Sequence, residues 1–215
     1  ILFSDILTIP DALNLGLDFH EGEGPKFSNP ISSADDINNL NAFDVNSLDY
    51  VFKAVEETKN LIPTTLPLIG FCGSPWTLAA YSIEGGGSKD FKKTKTFIAE
   101  NLSALHDFLE ILSDACYQYL KQQVLSGVNA LQIFDSWADL LSESELDLFS
   151  LRYTKKITQK LKNDPVTKHI PIILFEKSPK KDIKDLVFND LSCISLHWNS
   201  DIRILSKRLK NDIAI

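Results

Sequence analysis

Several side chains that could take part in acid–base or nucleophilic chemistry lie within a few positions of the end of a short apolar run. If the runs are strands of a parallel sheet, their carboxyl ends meet at one edge, where such sheets bind their ligands. The candidates at this edge are Asp5 after residues 1–3, residues 71–76 after 66–71, residues 135–137 after 130–134, residues 176–178 after 170–175, and His197 after 193–196.

Asp5 and Tyr81 each have a structural and a chemical interpretation. Asp5 lies among apolar neighbours, where a carboxylate caps the following turn, pairs with a buried cation or belongs to a site. Tyr81 shortly precedes the three glycines Gly85–Gly87, which would let a backbone approach a ligand closely, but a lone tyrosine is also a common half-buried core residue. The sequence by itself leaves both interpretations open at both positions.

Other polar residues give weaker signals. Ser136 lacks the GxSxG elbow and any histidine placed as its base, which argues against a serine hydrolase. We expect His20, His106 and His169 to be surface or capping residues. The lysine-rich residues 177–184 are typical of a solvated helix start.

The order of apolar runs and helical patterns predicts an α/β fold. Continuous apolar runs are typical of parallel strands, and residues 213–215 could open a sixth run. Between the runs, residues 101–120 carry one helical stripe, Ser142 and Glu145 form a capping box, and Asn46 or Ser47 could cap another helix. A doubly wound sheet and a (β/α)8 barrel both fit this βα alternation.

Composition narrows the classes of function. The 215 residues carry a net charge of −7, which argues against a nucleic-acid binder and against a polybasic membrane anchor. No apolar stretch approaches the roughly 20 residues of a spanning helix, so we expect no integral membrane protein. Three scattered cysteines favour reduced thiols in a cytoplasmic protein, and no CxxC, HxC or HExxH spacing supports a metal site.

Taken in order, the segments at the predicted sheet edge resemble those of the uroporphyrinogen decarboxylase family. The matching segments are Ile-Leu-Phe-Ser-Asp-Ile-Leu at 1–7, Gly-Glu-Gly-Pro at 22–25, Pro-Leu-Ile-Gly-Phe-Cys-Gly-Ser-Pro-Trp-Thr-Leu at 67–78, Tyr81, Glu-Gly-Gly-Gly-Ser-Lys-Asp-Phe at 84–91, Ala-Leu-Gln-Ile-Phe-Asp-Ser-Trp at 130–137 and Phe-Ser-Leu at 149–151. The glycine-proline-tryptophan block followed by the tyrosine and three glycines is highly specific.

The resemblance implies a (β/α)8 barrel that forms a homodimer, works without a metal or organic cofactor and acts in haem and tetrapyrrole synthesis. The implied reaction converts uroporphyrinogen into coproporphyrinogen by removing carbon dioxide from four acetate side chains. Five to six strand runs are too few for eight strands. We therefore expect residues 1–215 to form a single barrel domain that is truncated at both ends.

The resemblance also assigns site residues. Asp5 is implied as the carboxylate that stabilises the protonated pyrrole and gathers its N–H groups. Tyr81 and Ser136 match substrate-contacting positions. Phe71 matches a phenylalanine whose backbone approaches the macrocycle, and Ile1 and Leu2 match apolar pocket walls. The family's arginines precede Ile1 and its histidine follows Ile215, so the resemblance assigns no proton donor within this sequence.

This sequence departs from the family pattern in places, and two alternatives stay open. His197-Trp198 stands where the family usually has Asp-Trp, Glu176-Lys177-Ser178 replaces a Thr-Lys-Gly-like segment, and Arg152 replaces a common proline. One alternative is a barrel methyltransferase related to the cobalamin-dependent family, which would need a His/Cys zinc site. The other is a non-catalytic chain that binds tetrapyrroles or a partner subunit.

Overall fold

A parallel four-stranded sheet forms the centre of the protein. The structure is a computed structural model and describes residues 5–22, 24–177, 186, 188, 190–198, 200–203, 207 and 213–215. The strands are β3 (Ile69–Gly73), β4 (Ala130–Asp135), β5 (Ile172–Glu176) and β6 (Cys193–Ser195), and they neighbour one another in that order. Because the spatial order follows the chain order with helical crossovers, the sheet has the arrangement of a (β/α)8 barrel segment, which confirms the predicted fold class.

The two faces of the sheet differ in what covers them. Leu131 and Ile133 are fully buried on the helix-covered face, whereas Phe134, which follows Ile133 and points to the other face, is half-buried. On this second face the ring of Phe134 lies 6.0 Å from Phe71 and 5.9 Å from Phe175, so three neighbouring strands share a row of aromatic rings. Since the inner side of such a barrel is filled by its own side chains, this row belongs to the inner face.

Long helices cover the outer face. They are α3 (Asp49–Leu61), α4 (Pro75–Glu84), α5 (Lys92–Glu100), α6 (Leu102–Leu125) and α8 (Arg152–Asn163). Helix α6 buries the stripe predicted for residues 101–120 except for Leu102, which is 49% exposed, and continues five residues further. A Cβ added to Gly70 would lie 2.6 Å from Gln123 Oε1 on α6, so a small residue lets this helix approach β3 closely.

Capping side chains begin several helices. Ser74 caps α4 with Pro75 in the first turn, and the predicted box of Ser142 and Glu145 begins α7 (Glu143–Glu145). A π-helical stretch, Leu146–Leu151, then leads into α8. The proposed cap at Asn46 or Ser47 is wrong, because Asp44 Oδ1 accepts from the Asn46 N–H at 3.0 Å and begins the 3-10 turn Val45–Leu48 before α3.

An antiparallel hairpin near the amino terminus was not predicted. The short helix α1 (Thr8–Pro10) and the π-helical turn Asp11–Leu15 lead to strands β1 (Leu17–His20) and β2 (Gly24–Phe27), and α2 (Ala34–Asn38) follows. Gly86 forms a bridge with Lys26 of β2, and a Cβ at Gly86 would lie 2.7 Å from the Pro25 carbonyl oxygen. A side chain at this position would therefore collide with the hairpin, which explains the glycine.

The remaining expectations concern the two ends of the sequence. Residues 1–3 and most of residues 177–184 lie outside the described residues. Ala214 forms a parallel bridge with Cys193, which fits the expectation that residues 213–215 add to the sheet. Within the described part of the chain, no helix has both the length and the apolar character to cross a membrane.

Candidate functional site

The carboxyl ends of the four parallel strands bring several candidate residues to one edge. Ser74 follows β3, Ser136 follows β4, Lys177 follows β5 and His197 is two residues beyond β6. The Lys177 N–H donates to the Asp135 carbonyl at 3.1 Å, so pairing between β4 and β5 continues into this edge. The sequence therefore located the edge correctly.

Asp5 lies half-buried beside the end of β3. Its Oδ1 accepts from the Leu7 N–H at 2.8 Å, which is the capping role that the sequence allowed. A Cβ on Gly73 would lie 3.5 Å from Ile6 Cβ, so the segment containing Asp5 packs against the carboxyl end of the strand. Capping uses one carboxylate oxygen, and the two interpretations of Asp5 are therefore compatible.

Tyr81 occupies the second turn of α4 and is half-buried between two aromatic rings. Its ring centroid lies 5.7 Å from Trp137 and 6.4 Å from Phe91, both in edge-on contact. Burial raises the pKa of the Tyr81 phenol, the Asp5 carboxylate adds to the rise, and the Trp137 indole N–H opposes it. The phenol is thus protonated at neutral pH and available as a hydrogen-bond donor.

Trp137 joins the candidates into one cluster. Its ring also lies 4.6 Å from that of Phe91, and Lys177 Nζ is 5.1 Å from its ring centroid. Lys177 Nζ is also 3.4 Å from Asp139 Oδ2, so a cation lies between the Trp137 ring and a carboxylate. The lysine-rich sequence around Lys177 is typical of a solvated helix start and gives no sign of these contacts.

A buried carboxylate underlies this cluster. Asp135 is 0% exposed, and its Oδ1 accepts from Ser74 Oγ at 2.8 Å and from Thr77 Oγ1 at 2.9 Å. Ser150 Oγ donates to the other oxygen. Burial raises the pKa of the Asp135 carboxyl, while the three hydroxyl donors oppose the rise. The segment Phe-Asp-Ser-Trp signals a polar strand end, but nothing in the sequence pairs it with hydroxyls on two other elements.

The remaining candidates are Phe71, whose surroundings differ from those of Tyr81 and Ser136, and the terminal residues Ile1 and Leu2. The Phe71 N–H donates to Gln123 Oε1, and the Phe71 carbonyl accepts from Gln123 Nε2, both at 2.9 Å. The ring of Phe71 lies on the inner face, whereas its backbone bonds to α6; the approach of that backbone to a ligand stays a prediction. Ile1 and Leu2 lie outside the described residues.

The histidines have varied surroundings. His197 is half-buried, with its ring 5.6 Å from that of Trp198. His106 Nδ1 lies 2.6 Å from the Tyr153 hydroxyl, between α6 and α8, rather than on the open surface. Over the described residues, no group of three or more His, Cys, Asp or Glu side chains could hold a metal ion.

Comparisons with known proteins point to one family. The sequence profile described as "Uroporphyrinogen decarboxylase (URO-D)" matches residues 1–215. Proteins named uroporphyrinogen decarboxylase from Acinetobacter baylyi, Ruthia magnifica and Saccharophagus degradans are each 43% identical over 216 residues. These matches cover 100% of this chain and 60%, 62% and 61% of those relatives, respectively.

A solved structure supports the fold alone. A methyltransferase from Methanosarcina mazei superimposes with a TM-score of 0.66 over 90% of this chain and 56% of that one, at 15% sequence identity.

Proposed function

Because the chain belongs to the uroporphyrinogen decarboxylase family, we propose that this protein converts uroporphyrinogen into coproporphyrinogen in tetrapyrrole synthesis. The observation that carries the proposal is the family match over residues 1–215, together with 43% identity to relatives of that name. The cluster of Asp5, Tyr81 and Ser136 at the carboxyl edge of the sheet supports it. No metal or organic cofactor is part of the proposed reaction.

Asp5 is proposed as the group that stabilises the reacting ring. Loss of carbon dioxide from a pyrrole acetate becomes easier once the ring is protonated, because the cation accepts the electron pair of the breaking carbon–carbon bond. A fixed carboxylate beside the ring favours that cation and accepts from pyrrole N–H groups. In the net change, one proton replaces carbon dioxide at each methylene carbon and gives a methyl group.

Tyr81 and Ser136 are proposed to orient the substrate. The raised pKa of Tyr81 keeps its phenol protonated, so it can donate to a substrate carboxylate. The half-buried Ser136 hydroxyl has the same capacity. The ring of Phe71 and the residues Ile1 and Leu2 are proposed to supply apolar walls. The proton donor is not assigned to a residue of this chain.

The surroundings in which the protein works also form part of the proposal. We propose a homodimer in the cytoplasm, as the family resemblance implies. The acidic composition, with 29 Asp and Glu against 22 Lys and Arg, is compatible with that setting and supports a small-molecule substrate rather than a nucleic acid.

The proposal is tested on the intact protein, with any residues that flank this chain in its gene. Uroporphyrinogen is incubated without oxygen, and the products are oxidised and separated by fluorescence HPLC. We expect porphyrins with seven, six, five and finally four carboxylates. The absence of every product with fewer than eight carboxylates would overturn the proposal. Methyl transfer together with stoichiometric zinc would favour the methyltransferase alternative instead.

Replacing Asp5 with Asn tests the role of the carboxylate. The amide oxygen can still accept from the Leu7 N–H, so the cap and the fold should survive while the charge is lost. We expect turnover to fall about 100-fold, as when a charge-stabilising group is removed. The matched control is Asp44→Asn, because Asp44 also caps a turn through a backbone N–H but lies outside the cluster. Near-normal turnover in Asp5→Asn would contradict the assigned role.

A further inference from the structure

The two residues on either side of Ser136 are bound to the same hydroxyl. Thr77 Oγ1 donates to Asp135 Oδ1 at 2.9 Å and accepts from the Trp137 N–H at 3.4 Å. Thr77 is 0% exposed, so water cannot replace either bond. One buried oxygen atom therefore spans the turn that carries Ser136.

Further bonds fix the same turn to the start of α4. Ser74 Oγ accepts from the Thr77 N–H at 3.0 Å and donates to Asp135 Oδ1 at 2.8 Å. The Ser74 N–H donates to the Phe134 carbonyl at 2.8 Å, and Trp76 Nε1 donates to the Trp137 carbonyl at 2.9 Å. The carboxyl end of β4 and the first turn of α4 consequently form one hydrogen-bonded unit.

The same helix carries Tyr81. Thr77 and Tyr81 are four residues apart, and side chains with that spacing lie on one face of a helix, one turn apart. The ring of Tyr81 contacts that of Trp137 at 5.7 Å. Thr77 thus lies one helical turn before Tyr81 and is bonded to the residues on either side of Ser136, the Asp135 carboxylate and the Trp137 N–H.

We infer that Thr77 is a positioning residue, which acts through Asp135 and Trp137 to fix Ser136 relative to Tyr81. The inference rests on the proposed function, because it assigns a purpose to the distance between these two substrate-contacting groups. A displacement of about 1 Å at a reacting centre can lower turnover by up to about 100-fold. Loss of one bridging hydroxyl would loosen the turn without removing any group that touches the substrate.

The test begins with Thr77→Val in the intact protein, a change that keeps the side-chain shape and removes the hydroxyl. We expect kcat for uroporphyrinogen to fall about tenfold while KM changes less than about twofold, as for an interaction that matters mainly in the transition state. Thr77→Ser keeps the hydroxyl and should restore most of the lost kcat. Unchanged kcat in Thr77→Val would overturn the inference.

Thr154→Val is the matched control for burying a methyl group in place of a hydroxyl. Thr154 on α8 is also 0% exposed, and its hydroxyl has no hydrogen-bond partner among the described residues. This variant should keep wild-type kcat and KM. If Thr154→Val and Thr77→Val lowered kcat equally, the effect would be general to the core and the inference would fail.

A double-mutant cycle separates positioning from general destabilisation. If Thr77 acts through Ser136, then Ser136→Ala should cost much less kcat in the Thr77→Val background than in the wild type. Fully additive effects would contradict the inference. Should Thr77→Val fail to fold, Ser150→Ala removes the donor to the other Asp135 oxygen and carries the same expectation, with a kcat loss of about threefold.

A measurement without substrate keeps this inference separable from the proposed function. The acrylamide quenching of Trp137 is obtained as the difference between each protein and the same protein with Trp137→Phe. We expect Trp137 to be quenched more in Thr77→Val than in the wild type, and unchanged in Thr154→Val. A wild-type protein that makes no coproporphyrinogen would refute the proposed function, whereas equal quenching in the three proteins would refute the positioning role itself.

Discussion

Asp135 and Asp164 are carboxylates at opposite ends of the βα units, and their environments differ in charge and in access to water. At the carboxyl edge of the sheet, Asp135 is 0% exposed and is bound by three neutral hydroxyls. In the loop between α8 and β5, Asp164 is 9% exposed and accepts from Lys121 Nζ at 2.7 Å and from the Tyr117 hydroxyl at 2.5 Å.

The two environments shift the carboxyl pKa in opposite directions. Burial raises the pKa of Asp135. The hydrogen bonds from Lys121 and Tyr117 to Asp164, together with that from the Val166 N–H, lower its pKa to about 2. Neutral hydrogen-bond donors hold a carboxylate in one position. A set of donors that includes a cation also keeps the carboxylate ionised. The first arrangement suits an edge that must orient neighbouring side chains, and the second suits a helix-to-helix connection.

The largest expected difference between the two regions is in stability. We expect Asp135→Leu to lower the free energy of unfolding by about 3 kcal/mol, because three buried hydroxyls lose their acceptor. Asp164→Leu should have a smaller effect, since Lys121 and Tyr117 can turn to water. Urea unfolding at neutral pH measures both variants. Equal losses would contradict the idea that solvent access separates the two carboxylates.

The next largest expected difference is in how the contribution of each carboxyl group to stability changes with pH, because the two contributions change in opposite directions. The folded-state pKa of Asp164 lies below its ordinary value of 3.8, so its stabilising contribution is present above that value and is lost as pH falls toward about 2. The folded-state pKa of Asp135 is raised, so its contribution is present below 3.8 and is lost as pH rises through the folded-state pKa.

Asn variants make this difference measurable, because Asn does not titrate. The Tm of the wild type minus that of Asp164→Asn should increase as pH rises from about 2 to about 4. The Tm of the wild type minus that of Asp135→Asn should decrease as pH rises above about 4. Each variant is the control for the other, since all remaining groups titrate alike in both. Slopes of the same sign would show that one of the two assigned environments is wrong.

The elements that frame this comparison could be predicted to different extents from the sequence. Continuous apolar runs indicated β3 to β6, and local pairs such as Ser142 with Glu145 indicated helix starts, because both signals lie within a few neighbouring residues. The hairpin β1–β2 was missed, because its strands have four residues each, and the alternation of Leu17 and Phe19 with polar residues in β1 is too short to stand out and does not continue in β2. The capping role of Asp44 was missed because Asn46 and Ser47, which have a similar capping propensity, were predicted instead.

The candidate site shows the same division. Asp5 and Ser136 could be named from their positions near strand ends, Tyr81 from the three glycines that follow it, and all three from resemblance. Thr77 and Ser150 could not, because a small hydroxyl within a helix gives no signal, and their common partner Asp135 is 58 and 15 residues away in sequence. Contacts of this kind arise only when α4, β4 and the π-helical stretch pack together.

The smallest predicted difference is the loss of stability when a single hydrogen-bond donor to each carboxylate is removed. Ser150→Ala removes the hydroxyl that binds one oxygen of Asp135 and should lower the free energy of unfolding by about 2 kcal/mol, since that oxygen is left without water. Tyr117→Phe removes one donor to Asp164 and should cost less than about 1 kcal/mol, because Lys121 remains bound and solvent reaches the carboxylate. Urea unfolding of both variants at neutral pH gives the comparison. A larger loss for Tyr117→Phe than for Ser150→Ala would contradict the idea that access to water separates the two carboxylates.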